Sequence, residues 1–96
     1  MADGEVEVRN PSGLHARPAA TFVRTAGGFA ADVRVTNLTR DAGKSASAKS
    51  VLGVMGLGVS RGHRIRIAAD GDDADRAVRT LVDLVTAGIG EELDAE

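Results

Sequence analysis

Two hydrophobic periods alternate along this chain, and the order in which they follow one another limits the fold more than any other feature. Val6 and Val8 alternate with charged residues, which is the period-two pattern of a strand with one buried face. After the turn-forming residues 10–13, hydrophobic residues recur at helical spacing until Gly27 and Gly28 interrupt them. The sequence therefore predicts a strand followed by a helix whose buried face carries Ala19, Phe22, Val23 and Ala26.

The middle of the chain contains two more alternating segments and a second helical pattern. Residues 29–36 alternate in the manner of a strand, and residues 37–43 form a polar loop. Small polar and small apolar residues alternate over residues 44–49, which predicts a short third strand. Ser50 is a favourable N-cap residue for a short helix that ends at the glycine-rich residues 56–58. The hydrophobic residues of that helix are Val51, Leu52, Val54 and Met55.

The last third of the chain predicts a strand, a long helix and a tail. Ile65 and Ile67 alternate with arginines as a fourth strand, and we interpret the preceding His63 as an exposed turn residue. Residues 70–73 supply a turn and an N-cap for the clearest helical pattern of the chain. We expect residues 88–96, which end in acidic residues, to fray. The hydrophobic face of the last helix comprises Ala74, Ala77, Val78, Leu81, Leu84 and Val85.

The predicted order βαββαβα, with one polar face on each strand, is typical of an antiparallel sheet that helices cover on one side. We therefore infer a two-layer α+β fold. The 96 residues fit a single domain, residues 1–96. Because Phe22 and Phe29 are the only aromatic residues, the core must be aliphatic, and the helices can lie close to the sheet.

The composition argues against several classes of function. Without cysteine, and without the apolar core of a signal peptide near Met1, the chain is expected to be cytoplasmic and to lack disulfides. No apolar run approaches the roughly 18 residues that span a bilayer, so we expect no membrane insertion. A net charge of -2 gives nucleic acid no overall attraction. Two histidines form no convincing metal site, and we expect no cofactor.

One segment carries the residues suited to chemistry, Gly13-Leu14-His15-Ala16-Arg17-Pro18-Ala19. Proline is tolerated only in the first turn of a helix, so Pro18 locates His15 at or just before a helix N-terminus. The backbone amides of Ala16 and Arg17 then lack intrahelical partners and can bind an anion. The positive end of the helix favours an uncharged, nucleophilic imidazole and stabilises a phosphoryl group attached to it. The guanidinium of Arg17 adds a permanent charge for phosphate oxygens.

Residues 13–19 resemble the active-site motif of the HPr family, the histidine phosphocarriers of the bacterial phosphoenolpyruvate-dependent sugar phosphotransferase system. A second signature of the family, around the serine that opens a short helix, is matched by residues 43–58. The resemblance extends from about residue 5 to residue 85. It implies an open-faced β-sandwich, in which a four-stranded antiparallel sheet carries three helices on one face.

The resemblance also implies a mechanism and a set of partners. Phospho-Enzyme I would donate a phosphoryl group to Nδ1 of His15 with the help of Arg17, and sugar-specific IIA domains would accept it. The chain would then be a carrier and a substrate of Enzyme I, not an independent enzyme, and we expect a monomer. Arg17, Arg24 and Lys49 would form a basic rim for acidic partners. The predicted docking residues are Ala20, Arg24, Lys49, Val51, Leu52 and Met55, beside Ala16.

Ser50 has a second interpretation, and other functions stay open. In some members of the family the matching serine is phosphorylated by an ATP-dependent serine kinase, which would hinder docking of Enzyme I. An alternative function is therefore a regulatory interaction protein that acts through Ser50. The longer loop at residues 37–43 and the acidic tail leave open a carrier for a dihydroxyacetone kinase system. A hydrolase with His15 as general base would need a nucleophile or metal that the motif does not supply.

Overall fold

The computed structural model describes residues 1–91, which fold in the predicted element order. The strands are β1 (Ala2–Glu7), β2 (Asp32–Asn37), β3 (Ser45–Ser47) and β4 (Arg64–Asp70). The helices are α1 (Ala16–Ala26), α2 (Val51–Gly56) and α3 (Ala74–Thr86). No helix in this part of the chain is both long enough and apolar enough to cross a membrane.

The strands form one antiparallel sheet in the order β1-β4-β2-β3. The register aligns hydrophobic residues across it, so that Ile67 of β4 lies between Gly4 of β1 and Val35 of β2. Helix α3 packs on β1, β4 and β2, while α1 packs against α2 and α3. At Gly4, a Cβ atom would come within 3.2 Å of the Val78 side chain, so the missing side chain lets α3 lie close to the sheet.

The opposite face of the sheet is polar and open to solvent. Arg64 and Arg66 of β4 form ion pairs with Glu5 and Asp3 of β1, and all four side chains are about half exposed. Exposed pairs of this kind contribute little to stability. The predicted α+β fold, with a four-stranded antiparallel sheet and helices on one face, is therefore confirmed.

The second strand begins later than predicted. Residues 29–31 lie outside β2, which starts at Asp32. The backbone amides of Ala30 and Ala31 each donate to the carboxylate of Asp73 at 2.8 Å, so neither amide is available to a strand ladder. Asp73 occupies the N-cap position of α3, but its side chain makes no capping bond to that helix. Its carboxylate instead joins the start of α3 to the end of the α1–β2 connection.

The loop after β2 also differs from the prediction. Asn37, predicted to open the polar loop, is the last residue of β2 and is buried. Its side-chain amide donates to the Leu57 carbonyl at 3.1 Å and lies 3.1 Å from Nδ1 of His63. The same Nδ1 accepts from the backbone amide of Ser60 at 3.2 Å. His63 is therefore a half-buried bridging residue, and its prediction as an exposed turn residue is wrong.

The third strand and the C-terminal tail also differ from the prediction. β3 covers three residues, fewer than the predicted 44–49. The tail was predicted to fray from residue 88, but Ile89 is 3% exposed and packs in the core. The carboxylate of Glu91 is hydrogen bonded to Asn10 and Ser12. The rest of the predicted frayed segment, residues 92–96, lies outside the described residues.

Replacing Asp73 with asparagine is expected to lower the urea midpoint of unfolding at pH 7. The amide of Ala30, and then that of Ala31, stabilises the charged carboxylate and holds the pKa of Asp73 below its ordinary value of 3.8. A carboxyl group with a lowered pKa stabilises the fold at pH values above its unfolded pKa, and that contribution disappears as the pH falls through the folded pKa. The difference from wild type should therefore shrink between pH 5 and pH 2 in urea titrations monitored by circular dichroism.

The neighbouring exposed carboxylate of Asp72 supplies the matched control. Asp72→Asn removes the same charge without the two amide bonds, so its midpoint should stay close to that of wild type at every pH. Equal effects of the two substitutions would contradict a specific role for Asp73.

Candidate functional site

His15 stands at the junction between an extended segment and α1. Its backbone is extended, with φ -119° and ψ 152°, and it is the N-cap residue of that helix. Its side chain is exposed and, within residues 1–91, makes no capping hydrogen bond. Pro18 is buried in the first turn, where its missing amide costs no helical hydrogen bond. The predicted position of His15 at the helix N-terminus is therefore confirmed by the geometry.

The two residues before His15 are held by the segment that follows α2. Leu14 is fully buried, and its amide donates to the Val59 carbonyl at 3.1 Å. Gly13 has φ +60°, and a Cβ atom there would collide with the same carbonyl and approach Cα of Ser60 to 2.9 Å. Only glycine combines this backbone conformation with so close an approach. Residues 59–60 thus fix the loop that precedes His15, while His15 itself remains at the surface.

The residue after His15 is strained. Ala16 has φ +49°, in the left-handed region that costs a non-glycine residue roughly 1–2 kcal/mol. Strained residues of this kind persist only where the surrounding structure determines the backbone, and they occur often at functional sites. Ala16 is exposed, so the strain is not offset by burial of its own side chain.

The electrostatics of this helix end favour an anion. The first turn of α1 contains no acidic residue, and its backbone amides carry the positive end of the helix dipole. Arg17 is exposed in the same turn. Its charge is felt at Glu91, where it is the last of the causes that lower the pKa of that carboxyl. The imidazole of His15, the backbone amides of the first turn and the Arg17 guanidinium lie at one helix end, an arrangement suited to an anion such as a phosphoryl group.

Ser50 caps α2 as predicted. Its backbone is extended, and its Oγ accepts from the amide of Gly53 at 3.0 Å. The hydroxyl belongs to an exposed residue, so the capping oxygen remains accessible at the surface. The structure therefore supports the capping role and keeps the side chain open to modification.

The predicted docking residues lie on α1 and α2, which pack against each other. On α2, Leu52 is 84% exposed and Val51 is 38% exposed, whereas Val54 is buried in the core and Met55 is half-buried. On α1, Ala20 is half-buried and Arg24 is exposed in the last turn.

Lys49 is hydrogen bonded near the C-terminal end of α1, the end opposite His15. Its ammonium donates to the Phe29 carbonyl at 2.7 Å. Lys49 and Arg24 therefore lie towards the C-terminal end of α1, while Arg17 lies at its N-terminal end. The three cations of the predicted basic rim are spread along the helix and are not clustered around His15.

Sequence reasoning missed three residues that build the site, namely Asn10, Val59 and Glu91. Asn10 and Ser12 look like turn residues in the sequence, and nothing marks Asn10 as fully buried. Glu91 contacts them from 79 and 81 residues away, a separation at which no local pattern predicts pairing. A glycine on either side of Ile89 indicates a tight turn, but not its partner.

Neither of two cavities in the described part of the chain is lined by His15. Within residues 1–91, no group of three or more histidine, cysteine or carboxylate residues could hold a metal ion. A cavity of about 90 Å³ lies between the 37–44 loop and the end of α2, lined by Asn37, Arg40 and Lys44 among others. A second cavity, of about 150 Å³, lies on the sheet beside Met1 and Arg34. His15 itself lies on the exposed surface.

Comparisons with known proteins agree with this geometry. A family model described as the PTS HPr component phosphorylation site matches residues 2–87. The chain is 45% identical over 91 residues to the multiphosphoryl transfer protein of Salmonella typhimurium, covering 95% of this chain and 24% of that protein. It thus spans about a quarter of the length of that relative.

This chain also matches solved structures of the same fold over almost their whole length. HPr-C-His from Thermoanaerobacter tengcongensis superposes with a TM-score of 0.88 at 44% identity, over 97% of this chain and 100% of that one. A phosphocarrier protein HPr from Bacillus anthracis superposes with a TM-score of 0.80 at 38% identity, over 88% and 95%. Because the family model and these relatives span nearly all of residues 1–91, the chain belongs to the PTS HPr family.

Proposed function

We propose that this chain is a phosphocarrier, in which His15 accepts a phosphoryl group from Enzyme I and passes it to a IIA domain. The observation that carries the proposal is the exposed imidazole of His15 at the N-terminus of α1, with Arg17 two residues further on. Membership of the PTS HPr family, and the name phosphocarrier given to the Bacillus anthracis structure, support the same function. The chain would act as a reusable substrate and not as an independent enzyme.

The proposed transfer needs little from the protein beyond placement and charge. The lone pair of His15 Nδ1 forms a bond to phosphorus while the bond from phosphorus to the donor atom of phospho-Enzyme I breaks, and the departing donor atom keeps that electron pair. Negative charge on the transferring group is stabilised by the amides of Ala16 and Arg17 and by the Arg17 guanidinium. The exposure of His15 allows a donor and an acceptor to approach in turn.

The proposed docking surface joins apolar and basic side chains. Leu52 and Val51 are the exposed large hydrophobic residues of α2, and desolvating them would favour binding of a partner. Ala20 and Met55 are half-buried beside them on α1 and α2. Arg24 and Lys49 add positive charge that complements acidic partner surfaces and speeds association.

A second function, regulation through Ser50, is favoured by one observation. The Oγ of Ser50 caps α2, and Ser50 is exposed. It directly precedes Val51 and Leu52 of the docking surface. A serine kinase acting there would place negative charge next to the apolar contact, which would weaken docking of Enzyme I. A monomeric state and a dihydroxyacetone kinase system as acceptor remain predictions.

The proposed function is tested by incubating the full chain with phosphoenolpyruvate, magnesium and a bacterial Enzyme I. Intact mass spectrometry should detect one added phosphoryl group, which mild acid removes because the bond from phosphorus to imidazole nitrogen is acid-labile. Adding a purified IIA domain should then return the chain to its original mass as the acceptor gains the group.

The regulatory function is tested in a parallel reaction that contains ATP and a serine kinase in place of phosphoenolpyruvate and Enzyme I. An adduct that survives mild acid and maps to Ser50 would favour that function. A folded chain that gains no mass with several Enzyme I preparations would contradict the phosphocarrier function.

A further inference from the structure

The carboxylate of Glu91 is bonded to the loop that leads to His15. Its Oε1 accepts from the side-chain amide of Asn10 and from the backbone amide of Ser12, both at 3.0 Å. Its Oε2 accepts from the Ser12 hydroxyl at 2.8 Å. These bonds, that from Asn10 first, hold the pKa of Glu91 below its usual range, and Arg17 adds to the effect. Glu91 therefore carries a full negative charge beside the loop at neutral pH.

The backbone that carries Glu91 is fixed, not loosely attached. Gly88 and Gly90 have φ +95° and +83°, and Ile89 between them has φ +52°. A β-branched residue in this region is a rare outlier, and burial of the Ile89 side chain in the core offsets its strain. The amide of Glu91 also donates to the Gly88 carbonyl at 2.9 Å. The position of the carboxylate is thus determined by the core.

Asn10 connects Glu91 to the residues just before His15. It is fully buried, and its side-chain amide donates both to Glu91 and to the Gly13 carbonyl at 2.9 Å. Its Oδ1 has no hydrogen-bond partner among the described residues, so the site already contains one unsatisfied buried acceptor. Loss of Glu91 would leave a second polar group of Asn10 incompletely bonded. The network is therefore sensitive to the tail.

We propose that Glu91 is a positioning residue for His15. Glu91 fixes the loop that precedes His15 through Asn10 and Ser12, and its negative charge opposes a phosphoryl group on the imidazole. The negative phosphoryl group would compete with the Glu91 carboxylate for the field of Arg17. Glu91 would thereby raise the tendency of phosphorylated His15 to give up its group to an acceptor. This inference rests on the proposed phosphocarrier function.

The test compares full-length wild type with two variants at Glu91. Each is equilibrated with Enzyme I at a fixed ratio of phosphoenolpyruvate to pyruvate, and the phosphorylated fraction is measured by intact mass. Glu91→Gln keeps an acceptor for the loop but removes the charge, so the equilibrium constant should shift roughly three- to fivefold towards the phosphorylated chain. Glu91→Ala should show the same shift and should also slow transfer about tenfold, because the loop loses its support.

Two controls separate this role from a purely structural one. Glu7→Gln removes the same charge from an exposed position on β1 and should leave the equilibrium unchanged. The shift caused by Glu91→Gln should shrink at 1 M salt, because salt screens charges but not packing. A merely structural residue would lower thermal stability without moving the equilibrium constant.

The outcomes are distinct. No adduct on wild type would refute the proposed function itself. With a normal wild-type adduct, an unchanged equilibrium for Glu91→Gln, a shift equal to that of Glu7→Gln, or a shift towards the unphosphorylated chain would each overturn the role of Glu91 alone.

Discussion

Replacing His15 with alanine is expected to abolish the acid-labile phosphoryl adduct completely. The chain has two histidines, and His15 is the exposed one at a helix N-terminus. Because its side chain makes no capping bond within the described residues, the free energy of unfolding should stay within about 0.5 kcal/mol of wild type. Intact mass after incubation with Enzyme I and urea unfolding followed by circular dichroism measure the two quantities.

His63→Ala is the matched control, and its expected effects are the reverse. The Nδ1 atom of His63 accepts from the Ser60 amide and contacts the buried Asn37 side chain, so its loss should cost about 1 kcal/mol of stability. The adduct should form as in wild type. If His15→Ala still gained an acid-labile group, or His63→Ala lost it, His15 would not be the acceptor.

Gly13→Ala is expected to lower the free energy of unfolding by about 3 kcal/mol. A φ of +60° costs alanine roughly 1–2 kcal/mol, and fitting a Cβ atom against the Val59 carbonyl adds an overpacking cost of about 1–3 kcal/mol. The atoms that the Cβ would meet all belong to the backbone of Val59 and Ser60, so no side-chain rotation can relieve the clash. Because Leu14 bonds to the same carbonyl, the loop that precedes His15 should be displaced and transfer should also slow.

Gly62→Ala separates the two costs. Gly62 also has a positive φ, +92°, but a Cβ atom there would have nothing within 4 Å. It should lose only about 1–2 kcal/mol and keep the wild-type rate of phosphoryl transfer. Urea unfolding and the initial rate of adduct formation give the comparison. Equal losses of stability at the two glycines would show that the contact with Val59 has no energetic effect.

Local patterns in the sequence predicted most of the fold, because helix faces, helix starts and caps depend on residues that are close together in the chain. The helical spacing that includes Ala19 and Phe22 predicted the buried face of α1, and Pro18 predicted where α1 begins. Ser50 was predicted as the cap of α2, and its Oγ accepts the expected amide. The position of His15 followed from the same local rule.

Partners distant in the sequence account for the failures. Residues 29–31 alternate like a strand, yet the carboxylate of Asp73, 42 and 43 residues away, takes two of their amides. Nothing near His63 predicts its contact with Asn37, 26 residues earlier. The same is true of Glu91, whose charge reaches the site only because Ile89 anchors the tail in the core. Contacts of this kind depend on the assembled fold and leave no periodic trace in the sequence.

The strand order constrains when the chain can fold during its synthesis. β1 is the first of the four strands to be synthesised, but its neighbour in the sheet is β4, whose last residue is Asp70. The loop before His15 likewise depends on Val59, and its outer bonds depend on Glu91. Until β4 has been synthesised, β1 therefore lacks its neighbour in the sheet and the support of His15 is unfinished. The contacts that hold the loop before His15 are therefore complete only after nearly all of residues 1–91 have been synthesised.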